Sequence, residues 1–358
     1  MADLNDAGAR WIERPAHRAW LAAEADALLR FFEAESLDPR GGFHPLDAAG
    51  RAMTDVALRQ LHETTRMAHC FSIAALQGRP GAADIVDHAL DFLWTRHRDA
   101  ARGGYYWGVA AKGEAPRPEK TAYGHAFVLL AAAGAHLAGY PAARRLFEDV
   151  DAVICERFWE DGPGAMRESF AADWTEHPGY RGQNANMHMT EALMAAYEAF
   201  GDSRHLRMAE RIAALIVDRH ARAGGWRLAE HFDAGWRIDR AYDGDPMFRP
   251  AGQTPGHALE WARLLVQLYE TGGRRLAWAP EAARGLFDHA VAHGWDAARG
   301  GLVYTLDWND RPAVAWRLWW PLCEGVGAAH ALAGLDADPR FEHWYRRFWD
   351  VIARRFID

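Results

Sequence analysis

The chain is short of most features that place a protein in a class at once. No apolar run approaches the ~20 residues that a membrane-spanning helix needs. The opening stretch MADLNDAGARWIERP has no apolar core of the secretory kind, so a cytoplasmic location is expected. Cysteine is scarce. Cys70, Cys155 and Cys323 are far apart and odd in number, which suits neither a disulfide framework nor a zinc knuckle. Positive charge is not in excess: 41 Lys and Arg stand against 49 Asp and Glu, a formal net charge of −8. A nucleic acid partner is therefore disfavoured, because neutralising phosphates needs a basic face. HExxH, CxxC, Walker and GxSxG strings are missing. HETTRMAH comes near the first, but Arg66 takes the place of its second histidine. Linkers rich in Pro or Ser are absent, so residues 1–358 read as one domain. That length exceeds a usual single core unless the architecture is a large barrel or toroid.

Aromatic residues are plentiful: 17 Trp, 16 Phe and 10 Tyr. They suit either an aromatic core or platforms on which the C–H faces of sugar rings pack.

A Gly-rich turn recurs at Gly41-Gly42, Gly103-Gly104, Gly162 to Gly164, Gly224-Gly225 and Gly300-Gly301. The spacing is about 60 residues, with one interval near 76. Each turn leads into a short aromatic or β-branched stretch, and then into two helices. Period-3.6 patterning predicts eleven helices, over about 15–36, 54–77, 81–97, 119–138, 141–158, 184–200, 203–221, 255–271, 279–294, 316–334 and 339–356. Helix pairs at this repeat length predict an all-α (α/α)6 toroid with short strands and long loops on one face. Segments such as AFVLLAAAGAHL and GVGAAHALAGL are apolar nearly all round, as enclosed inner helices must be. A sixth turn is due at about residue 361, so the last hairpin and twelfth helix are expected to be missing from this chain.

Polar side chains gather where alternate helices begin. His62, Arg66 and His69 share one stripe. Tyr123 lies with Phe127, and Asn184 and His188 with Glu191. His257, Glu260 and Trp261 go together, and Trp316, Trp320 and Glu324 follow one turn apart. Any one of these is commonly a cap or a satisfied core group. Five inner helices polar at the same end suggest a shared pocket at the mouth of the toroid. The histidines could gather a metal, but Arg66 among them would repel it. A neutral His257 acting as general base, with Glu260 orienting it and Arg, Asn and His donors nearby, suits proton abstraction next to a carbonyl.

The strings GGYYWGV, KTAYGHAFVLLA, RGQNANMHMTEALMAAYEA, FRPAGQTPGHALEWARLL and WWPLCEG resemble the N-acylglucosamine 2-epimerase superfamily, on the side of its mannose and sulfoquinovose isomerases. The likeness runs from about residue 40 to the end. It implies an (α/α)6 barrel that interconverts aldoses and ketoses, or epimerises C2, through a cis-enediol with neither metal nor other cofactor. It implies His257, Glu260 and His188 as catalytic residues. Arg66, Tyr123, Asn184, Arg249, Trp320 and Glu324 are implied as sugar-binding residues. The leading expectation is isomerisation of D-mannose to D-fructose by a monomer or homodimer. A C2 epimerase, a glycoside hydrolase using Glu260 and Glu324, and a non-catalytic sugar-binding protein are the alternatives. The family's second catalytic histidine is expected past Asp358, and His343 is not its counterpart. A chain ending there would be weakly active or inactive, and less stable.

Overall fold

A computed structural model describes residues 10–177 and 179–357. Among them are eleven helices, close to the expected spans. The odd-numbered members form the outer layer: α1 (Pro15–Ser36), α3 (Ala82–Phe92), α5 (Ala142–Val153), α7 (Ser203–Ala213), α9 (Ala279–Gly294) and α11 (Pro339–Arg355). The inner ring is α2 (Leu61–Leu76), α4 (Ala122–Leu137), α6 (Gln183–Phe200), α8 (Pro255–Thr271) and α10 (Trp320–Leu335). Each inner helix packs on the next inner one and forms a hairpin with the outer helix that follows it. This is the toroidal arrangement that the repeat predicts. None of the helices is long and apolar enough to cross a membrane.

Composition explains the two layers. Helix α4 is buried all round from Gly124 to Ala135, and its small residues allow close approach. A Cβ on Gly134 would come within 2.9 Å of His69 Nδ1. Outer helices α3, α5 and α7 each continue into a π-helical stretch, at Leu93–His97, Ile154–Phe158 and Ala214–Ala221. Helix α1 docks on α11 through ring contacts of His17 with Tyr345 and of Trp20 with Trp349. Between α10 and α2 the described residues place no inner helix. Cys70, Ile73 and Leu76 of α2 are exposed, as are Leu28, Phe31 and Phe32 of α1.

Helix starts differ from the sequence expectation. Residues 54–60 and 119–121 were expected to be helical, and the helices begin at Leu61 and Ala122 instead. The preceding residues are strands, and each pairs with the segment after the next Gly turn. Leu58–Gln60 runs antiparallel to Gly108–Ala110, Lys120–Thr121 to Ser169–Phe170, and Arg181–Gly182 to His231–Phe232. Gln253 makes the same connection to Leu306. Interstrand hydrogen bonding outweighs helix propensity at these entries.

An ion pair fastens four of the five inner-helix entries, and in three of these the cation is buried. Arg59 reaches Asp38 at 2.7 Å, Lys120 reaches Asp99 at 2.8 Å and Arg181 reaches Glu160 at 2.8 Å. Arg317 pairs with Asp296 in the same way. In all four the cation follows the acid by 21 residues. Lys120 and Asp99 are only 0% and 2% exposed, so loss of one partner strands a charge in the core. Lys120→Met is expected to cost about 3–5 kcal/mol in urea unfolding, with Asp99→Asn/Lys120→Met recovering most of the loss. A single-variant cost under about 1 kcal/mol would contradict the clamp.

Two core histidines add a pH dependence. His125 Nδ1 donates to the Thr121 carbonyl at 2.7 Å, and its Nε2 accepts the Tyr105 N–H at 3.1 Å. His97 Nδ1 donates to the Tyr106 carbonyl at 3.0 Å. Burial lowers both rings to about 4. Below pH ~6.5 the unfolded chain takes up protons that the fold refuses. The contribution of these two rings to stability is therefore expected to be flat above that pH and to fall towards pH 4, by up to about 1.4 kcal/mol per pH unit for each ring. Thermal unfolding across this range measures the slope.

Candidate active site

The strand pairings bring the starts of the inner helices to one end of the ring. The N–H that opens each of α2, α4 and α6 is satisfied by a carbonyl from the next repeat. Leu61 donates to Trp107 at 2.8 Å, Ala122 to Glu168 at 2.9 Å and Gln183 to Glu230 at 3.1 Å. The residue supplying that carbonyl also turns its side chain to His62, Arg249 or His257, respectively.

His257 lies in the first turn of α8, behind Pro255. Its Nδ1 is 2.9 and 3.0 Å from the two oxygens of Glu230, which is almost fully buried. Gln183 Nε2 is 3.0 Å from both Glu230 Oε2 and the same Nδ1. The indole of Trp261 decides the amide orientation, because it donates to Gln183 Oε1 at 2.8 Å. Gln183 therefore presents its NH2 group to Glu230, and His257 donates Nδ1–H to that carboxylate. Burial pushes the Glu230 carboxyl up, but His257 and Gln183 outweigh it and hold the group below its ordinary value. Nε2 is left as the basic nitrogen, with no hydrogen-bond partner among the described residues. Trp320 flanks the ring at 5.1 Å.

The orienting carboxylate is thus Glu230, where the sequence reading had placed Glu260. At i+3 on α8, Glu260 points to α6, with Oε1 3.5 Å from His188 Nδ1. Glu191 is 3.6 Å from the same nitrogen. Three carboxylates surround Arg263: Glu191 at 3.1 Å, Glu324 at 3.3 Å and Glu260 at 3.8 Å. One guanidinium cannot balance three buried anions. Burial and the neighbouring Glu324 and Glu191 raise Glu260 well above its ordinary value. Burial also raises Glu324, against the pull of Arg263. In Glu191 burial is outweighed by His188 and Arg263, which bring it down to about 2.

On the facing helices, Arg66 donates to the Tyr123 hydroxyl at 2.8 Å and lies 4.3 Å over the Phe127 ring. Tyr123 meets His188 edge-on at 5.2 Å. No carboxylate among the described residues forms an ion pair with Arg66. His62 stacks on Trp107 at 5.1 Å, and burial, aided by Arg66, lowers its ring to about 4. The buried Asn184 Oδ1 has no hydrogen-bond partner among the described residues. Arg249, on the loop leading into α8, reaches Glu168 at 3.3 Å.

The structure thus brings His257, Glu260, His188, Arg66, Tyr123, Trp320 and Glu324 to one end of the inner ring. Glu230, Gln183, Arg263 and Glu168 were not among the expected site residues. Glu230 and Glu168 had a signal, since each precedes the strand after a Gly turn, in AEHF and RESF. As for a metal, His188, Glu191 and Glu260 bring ligand atoms within 4.8 Å of one another. Arg263 already sets a positive charge against those carboxylates.

The N-acylglucosamine 2-epimerase family model matches residues 41–358. The chain belongs to this family. It is 43% identical over 367 residues to a D-mannose isomerase of Pseudomonas cannabina pv. alisalensis, covering 100% of this chain and 87% of that one. A D-mannose isomerase of Thermobifida fusca is 42% identical, with 97% and 86% covered. A crystal structure of D-mannose isomerase superposes with a TM-score of 0.90 at 31% identity, over 95% of this chain and 87% of that one. In this member of the epimerase family, 15N NMR of His257 is expected to show a protonated Nδ1 and a bare Nε2. Glu230→Gln should mix the tautomers, and an unchanged spectrum would contradict the assigned role of Glu230.

Proposed function

We propose that this protein interconverts D-mannose and D-fructose through a cis-enediol, with His257 as the general base. The observation that carries the reading is the His257–Glu230 pair, which leaves Nε2 as a base on an inner-helix entry lined by donors. The D-mannose isomerase relatives support the choice of sugar.

In the open-chain aldose, Nε2 takes the C2 proton. The electron pair forms the C1–C2 double bond, and the C1 carbonyl oxygen becomes an enediolate oxygen. Glu230 stabilises the imidazolium through Nδ1–H, as a buried carboxylate does for a histidine base. Arg66, fixed by Tyr123 and without an ion-pair carboxylate among the described residues, supplies positive charge for the developing oxyanion. The same Nε2 returns its proton to C1, and the O2 hydroxyl loses its proton as the ketone forms. Glu260, whose proton affinity is raised by burial and its acidic neighbours, gives its proton to O1 of the enediolate, and the carboxylate so formed, beside His188, takes the proton that leaves O2. Trp320 offers an apolar face to the sugar, and Asn184 an acceptor.

Proton NMR of D-mannose in D2O, with EDTA present, tests the reading. Fructose should appear, with deuterium entering from solvent. His257→Gln should lower the rate by about 10³-fold or more, and Glu230→Gln by about 10²-fold. Full activity in His257→Gln would overturn the base assignment. Loss of the C2 proton signal with glucose as product would mean epimerisation. Activity abolished by EDTA would return His188, Glu191 and Glu260 to consideration as metal ligands.

A further inference from the structure

Glu168 and Glu230 occupy the same place in successive repeats. Each accepts the opening N–H of an inner helix on its backbone carbonyl, from Ala122 and Gln183 respectively. Glu230 uses its side chain on the base, while Glu168 uses its own on a cation. Its Oε2 accepts the Gly182 N–H at 3.1 Å and its Oε1 accepts Arg249 at 3.3 Å. Burial raises the Glu168 carboxyl, while Arg249, the Gly182 N–H and Arg181 pull against it, so the charge on Glu168 depends on the cation it holds. Gly182 adjoins Gln183, the residue that contacts His257, so the pair borders the proposed sugar site.

Arg249 is held in place. Its guanidinium lies 4.5 Å over the Tyr180 ring. The next residue, Pro250, accepts His231 Nε2–H at 2.7 Å, and His231 Nδ1 takes the Tyr180 hydroxyl at 2.8 Å. The Arg249 side chain is nevertheless 46% exposed, against 13% for Glu168. An anion arriving at Arg249 would meet a cation already neutralised from below. To engage it fully, the anion must leave a buried carboxylate without its counter-charge.

We propose that Glu168 is a specificity-determining residue, whose closed ion pair with Arg249 restricts the site to uncharged hexoses and turns away sugars bearing a phosphate or another anionic group. This rests on the sugar-isomerase reading. It adds a repulsive element to the attractive contacts of the pocket, as specificity commonly requires.

The test compares D-mannose with D-mannose 6-phosphate in the intact chain. The wild type should prefer the uncharged sugar. Glu168→Gln keeps an acceptor for Gly182 N–H and frees Arg249. It should raise the ratio of kcat/KM for the phosphorylated over the free sugar by about tenfold or more, chiefly through KM. Glu168→Gln/Arg249→Met should lose that gain. An unchanged ratio in a folded Glu168→Gln chain, or a gain that survives removal of Arg249, would overturn the proposal. Calorimetric binding of D-mannitol and its 6-phosphate needs neither turnover nor a variant. Wild-type preference for mannitol by about tenfold or more supports the proposal, and equal binding overturns it. A wild type that binds mannitol selectively but never exchanges the C2 proton of mannose would sink the isomerase reading and leave charge selection standing.

Discussion

The architecture depends on a buried ion pair repeated through the chain. An acid close to each Gly turn is met, 21 residues later, by a cation just before an inner helix. Each clamp fixes the point at which the chain stops being strand and becomes helix. Pairs this deeply buried contribute little as net stabilisation, since desolvation offsets their attraction. Their effect is on register. A helix entry shifted by one residue would leave both charges stranded. The fourth repeat has no such pair among the described residues. Its connection from Gly224-Gly225 to α8 is longer, and carries both Glu230 and Arg249.

From that register the site follows. Antiparallel pairing of each entry with the following repeat puts one residue of the incoming segment beside the helix start. In successive repeats that residue is Trp107, Glu168 and Glu230. They stack on a histidine, hold an arginine and orient a base. The same backbone contact thus supplies the proposed site with three kinds of chemistry, and the side chain alone decides which.

Electrostatics separates the roles of the carboxylates. Glu230 faces two donors and is held ionised. Glu260 is raised well above its ordinary value by burial and by two neighbouring carboxylates. Both are buried, so solvent does not level the difference. Groups whose environments drive their protonation apart are what general acid–base chemistry needs. Arg263 is the cation that the acidic cluster shares, while Arg66 has no ion-pair carboxylate among the described residues.

Much of this was legible in the amino-acid order. Eleven helices followed from apolar periodicity, the toroid from the Gly-turn repeat, and the pocket end from polar residues at alternate helix starts. These are local signals, and the repeat amplifies them. His257, His188 and Arg66 stood out because polar groups at the mouth of an apolar helix have few other uses. Partnership was not legible. Glu260 lies one helical turn from His257, and proximity along α8 suggested that it orients the ring. The side chain instead crosses to α6, while the carboxylate on His257 comes from the residue just before a strand, 27 residues earlier. The three-carboxylate cluster around Arg263 draws on α6, α8 and α10, and the Glu168–Arg249 pair spans 81 residues. Sequence alone determined which elements form and at which end their polar groups collect, because backbone periodicity and turn chemistry are properties of neighbours. Only the tertiary structure decided which charge meets which, because burial and distance in the closed ring set those pairings.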